Sequence, residues 1–336
     1  MVTVRLVDSD VAFPCSPRDT ITRAALRAGV PLPYECNTGA CGTCKMELVS
    51  GEITSLRPDA PGLADRDRAK RRILGCQAQP HGDCVIKCRI DSAAAGEPAP
   101  HPHDAELSSV RDITHDIREF VFELPAPYSF LAGQYALLYL PRVPTARAYS
   151  MSNIAGGRAW EFQIKHVPGG LATSVLFGEL QPGTSITIDG PYGHAYLRRD
   201  APRDIVCVAG GSGIAPIISI TRAIAETPGL ADRHVHVFYG GRRPQDICGE
   251  DMLDCLPQLA GRFTYVPVIS CPEDDASAAW TGRCGFVHEA VAATLTQPLT
   301  DYEFYFAGPP PMTAAVQRLL LEARVPHAQM HFDQFF

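Results

Sequence analysis

Hydrophobic and polar residues occur in short, punctuated runs along the first part of the chain. The runs Val2–Val7, Lys45–Leu48 and Val85–Ile90 are rich in β-branched and apolar residues and have the length of strands. The segment Thr20–Gly29 is helical in character and ends in a glycine, which is a typical helix stop. Residues 1–92 are therefore predicted to form a small α+β module.

The pattern changes after this module. Residues 93–103 are rich in alanine and proline and poor in large apolar side chains, so they predict an interdomain linker. Residues 104–200 then contain short strand-like runs broken by glycine and proline, which predicts an antiparallel β-barrel. The clearest of these runs are Phe120–Glu123, Tyr135–Leu140, Trp160–His166 and Ser185–Asp189.

Residues 201–336 alternate apolar strand-like runs with helical segments. This alternation predicts an α/β domain with a parallel sheet, because parallel neighbours need crossover connections. We find no internal repeat. The strand-like runs are Ile205–Ala209, His234–Tyr239, Phe263–Val268 and Tyr302–Phe306.

Composition supports a multidomain globular protein. The 336 residues correspond to two or three domains at about 150 residues each, and 46% are hydrophobic against 20% charged. No apolar run approaches the ~20 residues that span a bilayer, and the N-terminal segment is typical of a strand rather than of a signal peptide. We expect a cytoplasmic protein without a membrane partner. The net charge of −7 argues against a nucleic-acid partner.

Four cysteines carry the most specific signal in the chain. Cys36, Cys41 and Cys44, followed by the distant Cys76, have the C-x4-C-x2-C spacing plus a fourth cysteine that is typical of plant-type [2Fe-2S] sites. Such a cluster transfers electrons. The alternative is a zinc site or a set of unrelated buried thiols, although zinc sites favour paired C-x2-C halves.

The other cysteines are scattered, and we interpret them as free thiols because an iron–sulfur loop needs reduced cysteines. They are Cys15, Cys84, Cys88, Cys207, Cys248, Cys255, Cys271 and Cys284. Just before Cys76, the basic run Arg66–Arg72 has two interpretations: it steers an acidic redox partner, or it is simply a solvated helix face.

Two segments of the barrel region suit a flavin. In a strand, residues i and i+2 share a face, so Arg147 and Tyr149 can present a guanidinium to a pyrophosphate and an aromatic ring to an isoalloxazine. Ser150 would place a hydroxyl near the flavin N5. In the segment His166–Ser174, glycines precede a predicted helix start, where unpaired backbone N–H groups can bind phosphate. Either motif alone also occurs by chance.

A third segment predicts a dinucleotide site. The buried run Ile205–Ala209 leads directly into Gly210, Gly211 and Gly213 and then into a helix, although the glycines do not follow the G-x-G-x-x-G spacing. The alternative is an ordinary strand–helix turn. A second glycine crossing, meaning a strand that leads through a glycine turn into a helix, lies at Gly308 and Pro309.

The cysteine motif, the flavin segments and the glycine crossings follow one another along nearly the whole chain. In this order they resemble the NAD(P)H-dependent reductase components of multicomponent oxygenases, within the ferredoxin–NADP reductase superfamily. The resemblance includes reductases of benzoate, naphthalene and terephthalate dioxygenases and of soluble diiron monooxygenases. It implies an N-terminal β-grasp ferredoxin domain, an FAD-binding barrel and a pyridine-nucleotide domain. It also implies hydride transfer from NADH or NADPH to FAD, then single electrons through the cluster to a terminal oxygenase or an intermediate ferredoxin.

The resemblance also implies roles for particular residues. Arg147 would bind the FAD pyrophosphate, Tyr149 would pack on the flavin and Ser150 would hydrogen-bond N5. The remaining cofactor contacts would come from His166, Gly170, Thr173 and Ser174 for FAD, and from Gly210, Gly211, Gly213, Gly308 and Pro309 for the nicotinamide nucleotide. Family members often carry a cysteine where this chain has Ala307, so thiol-assisted positioning of the nicotinamide is in doubt here.

The C-terminus resembles the closing acidic-x-aromatic segment of the family, in which the aromatic residue covers the flavin and yields to nicotinamide. We expect Phe335 to have this role; simple packing is the alternative. Arg242 and Arg243 are candidates to bind a 2′-phosphate, but no accompanying serine and lysine support them, so we expect NADH. Two alternatives for the acceptor remain: an electron carrier to a separate ferredoxin or a non-oxygenase enzyme, and a non-catalytic redox sensor.

Overall fold

The computed structural model describes residues 1–90, 98–254, 256–271 and 279–335, apart from the side chain of Asp254. No helix in this described part is long and apolar enough to cross a membrane. No disulfide joins cysteines within this described part, in agreement with the prediction for those outside the cluster motif, and Cys255 lies outside the described residues. The chain divides into two compact units: Met1–His103, Ala136–Ala148 and Thr187–Gly193 form one, and Asp104–Tyr135, Tyr149–Ile186 and His194–Phe336 form the other.

The N-terminal residues form a five-stranded mixed sheet with one helix packed on it. Its elements are β1 (Val2–Leu6), β2 (Ala12–Cys15), α1 (Ile21–Arg27), β3 (Lys45–Ser50), β4 (Ile53–Ser55), α2 (Asp65–Arg68), β5 (Arg72–Leu74), β6 (Ala78–Pro80) and β7 (Cys84–Lys87). The strand order is β2-β1-β7-β3-β5, and β4 pairs with β6 in a separate ribbon. Strand β1 runs antiparallel to β2 and parallel to β7. The arrangement confirms the predicted β-grasp domain.

The sequence pattern accounts for the packing of helix α1. Its residues Ile21, Ala24 and Ala25 are buried, and their spacing places them on one helical face. They belong to the same core as Val4 and Phe13 of the sheet. The helix therefore lies across the sheet with its apolar face inward, and this burial rather than length stabilises a helix of only seven residues.

The second structural region is a six-stranded sheet. Its elements are β8 (His101–Asp112), β9 (Ile117–Glu123), β10 (Tyr135–Tyr139), β11 (Arg147–Ser150), β12 (Ala159–Lys165), α3 (Leu171–Gly178) and β13 (Ser185–Tyr192). The order is β11-β10-β13-β8-β9-β12, and β9 pairs antiparallel with β8 and β12. An antiparallel bridge between Met151, just after β11, and Phe162 of β12 joins the two ends of this order. The predicted antiparallel barrel is confirmed.

Strand β8 begins at His101, within the range that the sequence suggested as a linker. Of that range, residues 93–97 lie outside the described residues. In β8 the buried positions His103, Ala105 and Leu107 alternate with exposed ones. Two of these three buried residues are not large apolar side chains, which explains why the hydrophobic pattern did not predict the start of the strand.

The C-terminal region is a six-stranded parallel sheet flanked by helices. Its elements are β14 (Asp204–Gly210), α4 (Ile214–Ala225), β15 (Val235–Gly241), α5 (Glu250–Asp254), β16 (Phe263–Ile269), β17 (Arg283–Cys284), α6 (Val287–Thr294), β18 (Tyr302–Gly308), α7 (Pro310–Glu322) and β19 (Met330–Gln334). The strand order is β17-β16-β15-β14-β18-β19, with parallel pairing between neighbours. The predicted α/β domain is confirmed.

Strand β14 is buried on both faces. Ile205 and Cys207 pack into one core with helix α4, whereas Val206 and Val208 pack into a second core with residues of α6 and α7. A continuous apolar run is the expected sequence of such a strand. The chain builds outward from β14 through β15 and β16, then returns to β18 on its other side. The topological switch point, where open α/β sheets bind ligands, therefore lies between β14 and β18.

Candidate functional site

The loop that joins α1 to β3 carries three of the four predicted cluster ligands. Residues 36–44, which we name the cluster loop, contain three positions with positive φ: Asn37 at 53°, Gly39 at 83° and Gly42 at 81°. A Cβ added at Gly42 would lie 2.8 Å from the carbonyl oxygen of Gly62, so only glycine fits there. The loop is thereby curled tightly on itself.

The four cysteine thiols come together in two pairs. The Sγ atoms of Cys44 and Cys76 are 3.2 Å apart, and both side chains are buried. In the other pair, the backbone N–H of Cys41 donates to the Sγ of Cys36 at 3.4 Å. A hydrogen bond from the partner thiol lowers the pKa of Cys36, and another lowers the pKa of Cys76. Within each pair the same hydrogen bond raises the pKa of the partner thiol, Cys41 or Cys44, so each pair shares one proton.

The spacing of the sulfur atoms tests which metal group the four thiols fit. A tetrahedral zinc with Zn–S bonds of about 2.3 Å would bring all four sulfur atoms within ~4 Å of one another. Within the described residues, the only set of three or more His, Cys, Asp or Glu ligand atoms all within 4.8 Å is His115, Asp116 and Asp246. The cysteines therefore do not converge on one point. Two separate pairs fit the two irons of a [2Fe-2S] cluster.

Gln77, to which no sequence motif pointed, supports the cluster ligands. Its buried amide donates to the carbonyl oxygen of Asn37 at 3.1 Å and to that of Cys76 at 2.9 Å. It thus links the fourth ligand to the cluster loop at Asn37, 40 residues before Gln77 in the chain. In the sequence, only its position directly after Cys76 indicated that Gln77 lies near the cluster site.

The basic run before Cys76 is exposed. Arg68, Arg71 and Arg72 line a cleft of about 510 Å³ together with apolar side chains such as Ile53 and Leu74. Asp67 is buried between Lys45 and Arg72, which bond its carboxylate at 2.8 Å each. The hydrogen bonds from Lys45 and Arg72 lower the pKa of Asp67 to about 2. The run is thus anchored through Asp67 and presents its other charges to solvent.

The first predicted flavin segment forms strand β11. Tyr149 is half-buried and Ser150 is 5% exposed. The Arg147 guanidinium donates to the carbonyl oxygen of Thr145 at 2.8 Å, on the loop before the strand. An arginine, a tyrosine ring and a hydroxyl along one short strand are a donor set that suits the pyrophosphate and ring system of FAD.

The second predicted flavin segment forms the turn before helix α3. Gly170 is the N-cap residue of the helix, so the first N–H groups of α3 have no partner within it. Ser174 is exposed, whereas the Thr173 hydroxyl is buried and bonded to Val167 within the turn. The His166 ring packs on Phe177, with ring centroids 5.1 Å apart. A phosphate bound at this turn would therefore meet mainly backbone groups, in a loop that Thr173 holds in shape.

The two glycine crossings lie side by side at the switch point of the parallel sheet. Ala209 and Ala307, each the residue before a crossing, are paired in register on β14 and β18. We name Gly210–Gly213 the nucleotide loop. A Cβ at Gly213 would lie 2.0 Å from the carbonyl oxygen of Ala307, so this approach is possible only for glycine. Helix α4 begins at Ile214, and the nucleotide loop leads straight into it, an arrangement suited to a dinucleotide phosphate.

Three further residues complete this end of the sheet. The backbone N–H of Phe335 donates to the carbonyl oxygen of Gly308 at 3.0 Å, and Pro309 caps helix α7. Tyr239, at the end of β15, donates its hydroxyl hydrogen to the carbonyl oxygen of Gly211 at 3.1 Å. Nothing in the sequence pattern pointed to Tyr239, because a tyrosine at the end of a buried strand is usually a core residue.

Comparison with known proteins agrees with this layout. Three family models match successive parts of the chain: a 2Fe-2S iron-sulfur cluster binding domain at residues 4–81, an oxidoreductase FAD-binding domain at 104–196 and an oxidoreductase NAD-binding domain at 207–318. These matches confirm the three predicted cofactors: a [2Fe-2S] cluster, FAD and a nicotinamide nucleotide.

Relatives share the same arrangement over their full length. The ferredoxin–NAD(P)(+) reductase CarAd of Metapseudomonas resinovorans is 37% identical over 326 residues, covering 96% of each chain. The reductase component of an alkene monooxygenase system from Xanthobacter autotrophicus is 36% identical, covering 96% of this chain and 98% of its own. A solved ferredoxin reductase of carbazole 1,9a-dioxygenase superposes with a TM-score of 0.91 at 35% identity, covering 100% of this chain and 98% of that one.

The paired thiols, the glycine-lined switch point and these full-length similarities all indicate the same kind of protein. This chain belongs to the family of iron–sulfur flavoprotein reductases that serve as electron-transfer components of oxygenase systems.

Proposed function

We propose that this protein oxidises NADH and delivers its electrons singly to a terminal oxygenase. The observation that carries the proposal is the presence in one chain of two thiol pairs suited to a [2Fe-2S] cluster and a glycine-lined nucleotide loop at the switch point of a parallel sheet. A nicotinamide gives up two electrons together, so an oxygenase that takes one at a time needs both a flavin and a one-electron carrier.

When bound, FAD accepts the hydride and the cluster passes on one electron at a time. Arg147 binds the FAD pyrophosphate, Tyr149 packs on the ring system and Ser150 directs its hydroxyl toward N5. The N-terminus of α3 binds phosphate through Gly170 and Ser174, with His166 and Thr173 shaping the turn. No side chain has to act as a general acid or base, since these residues work by fixing distance and orientation.

Gly210, Gly211 and Gly213 hold the nucleotide, with Gly308 and Pro309 beside its nicotinamide. The proximity of the glycine crossings supports this assignment. Phe335 covers the flavin face in the resting enzyme and gives way to nicotinamide, a role compatible with its half-buried side chain and its attachment to Gly308. Cys36, Cys41, Cys44 and Cys76 ligate the cluster.

The proposed domain organisation is a ferredoxin domain over residues 1–92, a linker over 93–103, an FAD domain over 104–200 and a nucleotide domain over 201–336. We also propose that the protein works in the cytoplasm. Two features support this location. The proposed reaction consumes NADH, and the cysteines of the cluster loop must stay reduced until iron is loaded.

An anaerobic titration tests the proposal. The purified protein is titrated with NADH, and separately with NADPH, while its visible spectrum is recorded. We expect NADH to bleach the flavin and cluster bands with about three electrons per chain, two for the flavin and one for the cluster. Loaded cofactors that neither nucleotide bleaches would instead favour the redox sensor.

A reconstitution then tests the acceptor. Relatives serve different systems, including a carbazole dioxygenase and an alkene monooxygenase, so the acceptor is determined by pairing this reductase with candidate components. We expect NADH-dependent turnover with a terminal oxygenase alone. Turnover that requires an added ferredoxin would support an indirect route and contradict direct delivery.

A further inference from the structure

Helix α1 carries an arginine in an unusual environment. Arg23 is 4% exposed, although arginine is seldom fully buried unless its charge is compensated. One guanidinium nitrogen donates to the carbonyl oxygen of Cys76 at 3.3 Å, and another donates to the hydroxyl of Tyr139 on strand β10. Neither partner is charged. Throughout the described residues, no carboxylate lies within salt-bridge distance of Arg23.

The neighbouring charges are arranged around a different arginine. Arg27, one turn along α1, bonds Asp19 at 2.5 Å and Asp189 at 2.6 Å. Asp189 is buried and also accepts a hydrogen bond from Tyr192 at 3.0 Å. The positive charges of the two arginines equal the negative charges of the two carboxylates, so the group is neutral as a whole. Within this group, Arg27 bonds both carboxylates directly, whereas the Arg23 guanidinium bonds the carbonyl oxygen of Cys76.

We propose that Arg23 raises the reduction potential of the [2Fe-2S] cluster and holds the Cys76 segment in place. The inference rests on the proposed cluster. Reduction adds an electron to a group already ligated by four thiolates, so a nearby cation stabilises the reduced form more than the oxidised form. Burial strengthens this effect because less water screens the charge.

Tyr139 gives Arg23 its second function. The bond from Arg23 to Tyr139 joins α1 and the Cys76 carbonyl to strand β10 within the same compact unit. The guanidinium is planar and bonds in fixed directions, so these two contacts also determine its orientation. Arg23 is thus a positioning residue that acts on the cluster through the Cys76 segment and through its charge.

The test is a spectroelectrochemical titration of the holoprotein. We compare the wild type with Arg23→Gln, Arg23→Lys and, as the matched control, Arg27→Gln. In Arg23→Gln we expect the ratio of reduced to oxidised cluster at a fixed potential to fall about tenfold, which is ~59 mV for a one-electron couple. Arg23→Lys should recover most of this ratio, and Arg27→Gln should change it less, because Arg27 contacts no cluster ligand.

A substitution of opposite sign keeps the inference testable if Arg23→Gln folds poorly. Asp189→Asn removes a negative charge from the same group, so it should raise the ratio of reduced to oxidised cluster. An unchanged ratio in Arg23→Gln with the cluster intact would overturn the inference, as would equal shifts in Arg23→Gln and Arg27→Gln, or a lowered ratio in Asp189→Asn. Absence of a cluster from the wild type would instead overturn the proposed function.

Discussion

The backbone N–H of Phe335 donates a 3.0 Å hydrogen bond to the carbonyl oxygen of Gly308. This bond attaches the C-terminal segment to the end of β18, beside the nucleotide loop. Because the bond involves only the backbone, the Phe335 side chain can turn away while its attachment to Gly308 persists. The backbone at Phe335 is therefore anchored independently of its half-buried ring, which is compatible with the proposed role of the ring as a movable cover.

Replacing Phe335 by alanine should strengthen nicotinamide binding. The backbone bond to Gly308 remains, but the ring no longer competes with nicotinamide for the flavin face. We expect the dissociation constant for NAD⁺ to fall about tenfold, equivalent to about 1.4 kcal/mol, and turnover to slow because the product leaves late. Isothermal titration of the oxidised protein measures this effect. A weaker affinity would instead assign Phe335 to simple packing.

Gly213→Ala should disrupt the nucleotide loop. The added Cβ would lie 2.0 Å from the carbonyl oxygen of Ala307, so β14 and β18 must shift apart. We expect a loss of about 1–3 kcal/mol in the free energy of unfolding, as for other overpacked sites, together with at least tenfold weaker NADH binding. Urea unfolding and a binding titration measure the two effects.

The matched control is Gly229→Ala. Its added Cβ would come no closer than 3.5 Å to another atom, which is an ordinary contact. If Gly229→Ala weakened NADH binding as much as Gly213→Ala, the effect would not come from the approach of Gly213 to Ala307.

Cys44→Ser should remove the iron while leaving the flavin. Cys44 and Cys76 form the buried thiol pair, so loss of one thiolate leaves one iron without a full ligand set. We expect iron content to fall from about two per chain to near zero, with FAD retained. Cys84→Ser is the control, because Cys84 is equally buried but bonds the carbonyl oxygen of Gly82 outside the cluster loop. Iron loss in both variants would contradict the assignment.

The protein should lose stability between about pH 6.5 and 4 through His236. Burial and the neighbouring His234 lower the pKa of His236 to about 4 from an ordinary value of 6.5. The unfolded chain therefore binds a proton in this interval before the folded chain does, so stability falls as pH decreases. Thermal unfolding at successive pH values should show a shallower decline for His236→Gln than for the wild type. His327→Gln, at an exposed position, should keep the wild-type slope.

Much of the local structure followed from the sequence. The apolar runs predicted strands at Phe263–Val268 and Tyr302–Phe306, and the structure has strands over Phe263–Ile269 and Tyr302–Gly308. The α+β, barrel and α/β regions and the [2Fe-2S] site also followed from the sequence, because residue periodicity and cysteine spacing are encoded over short stretches. FAD and the nicotinamide nucleotide followed from the resemblance of the ordered motifs to a known family. The roles of the individual site residues stay predictions.

Only the tertiary structure decided which distant segments meet. The pairing of β14 with β18 brings Gly213 against Ala307, and the packing of α1 brings Arg23 to the carbonyl of Cys76, 53 residues away. Neither contact leaves a periodic signal, because each depends on strand order and burial over the whole domain. For the same reason, the sequence pattern did not predict the roles of Arg23 and Gln77, although the spacing of the four cysteines predicted the cluster site.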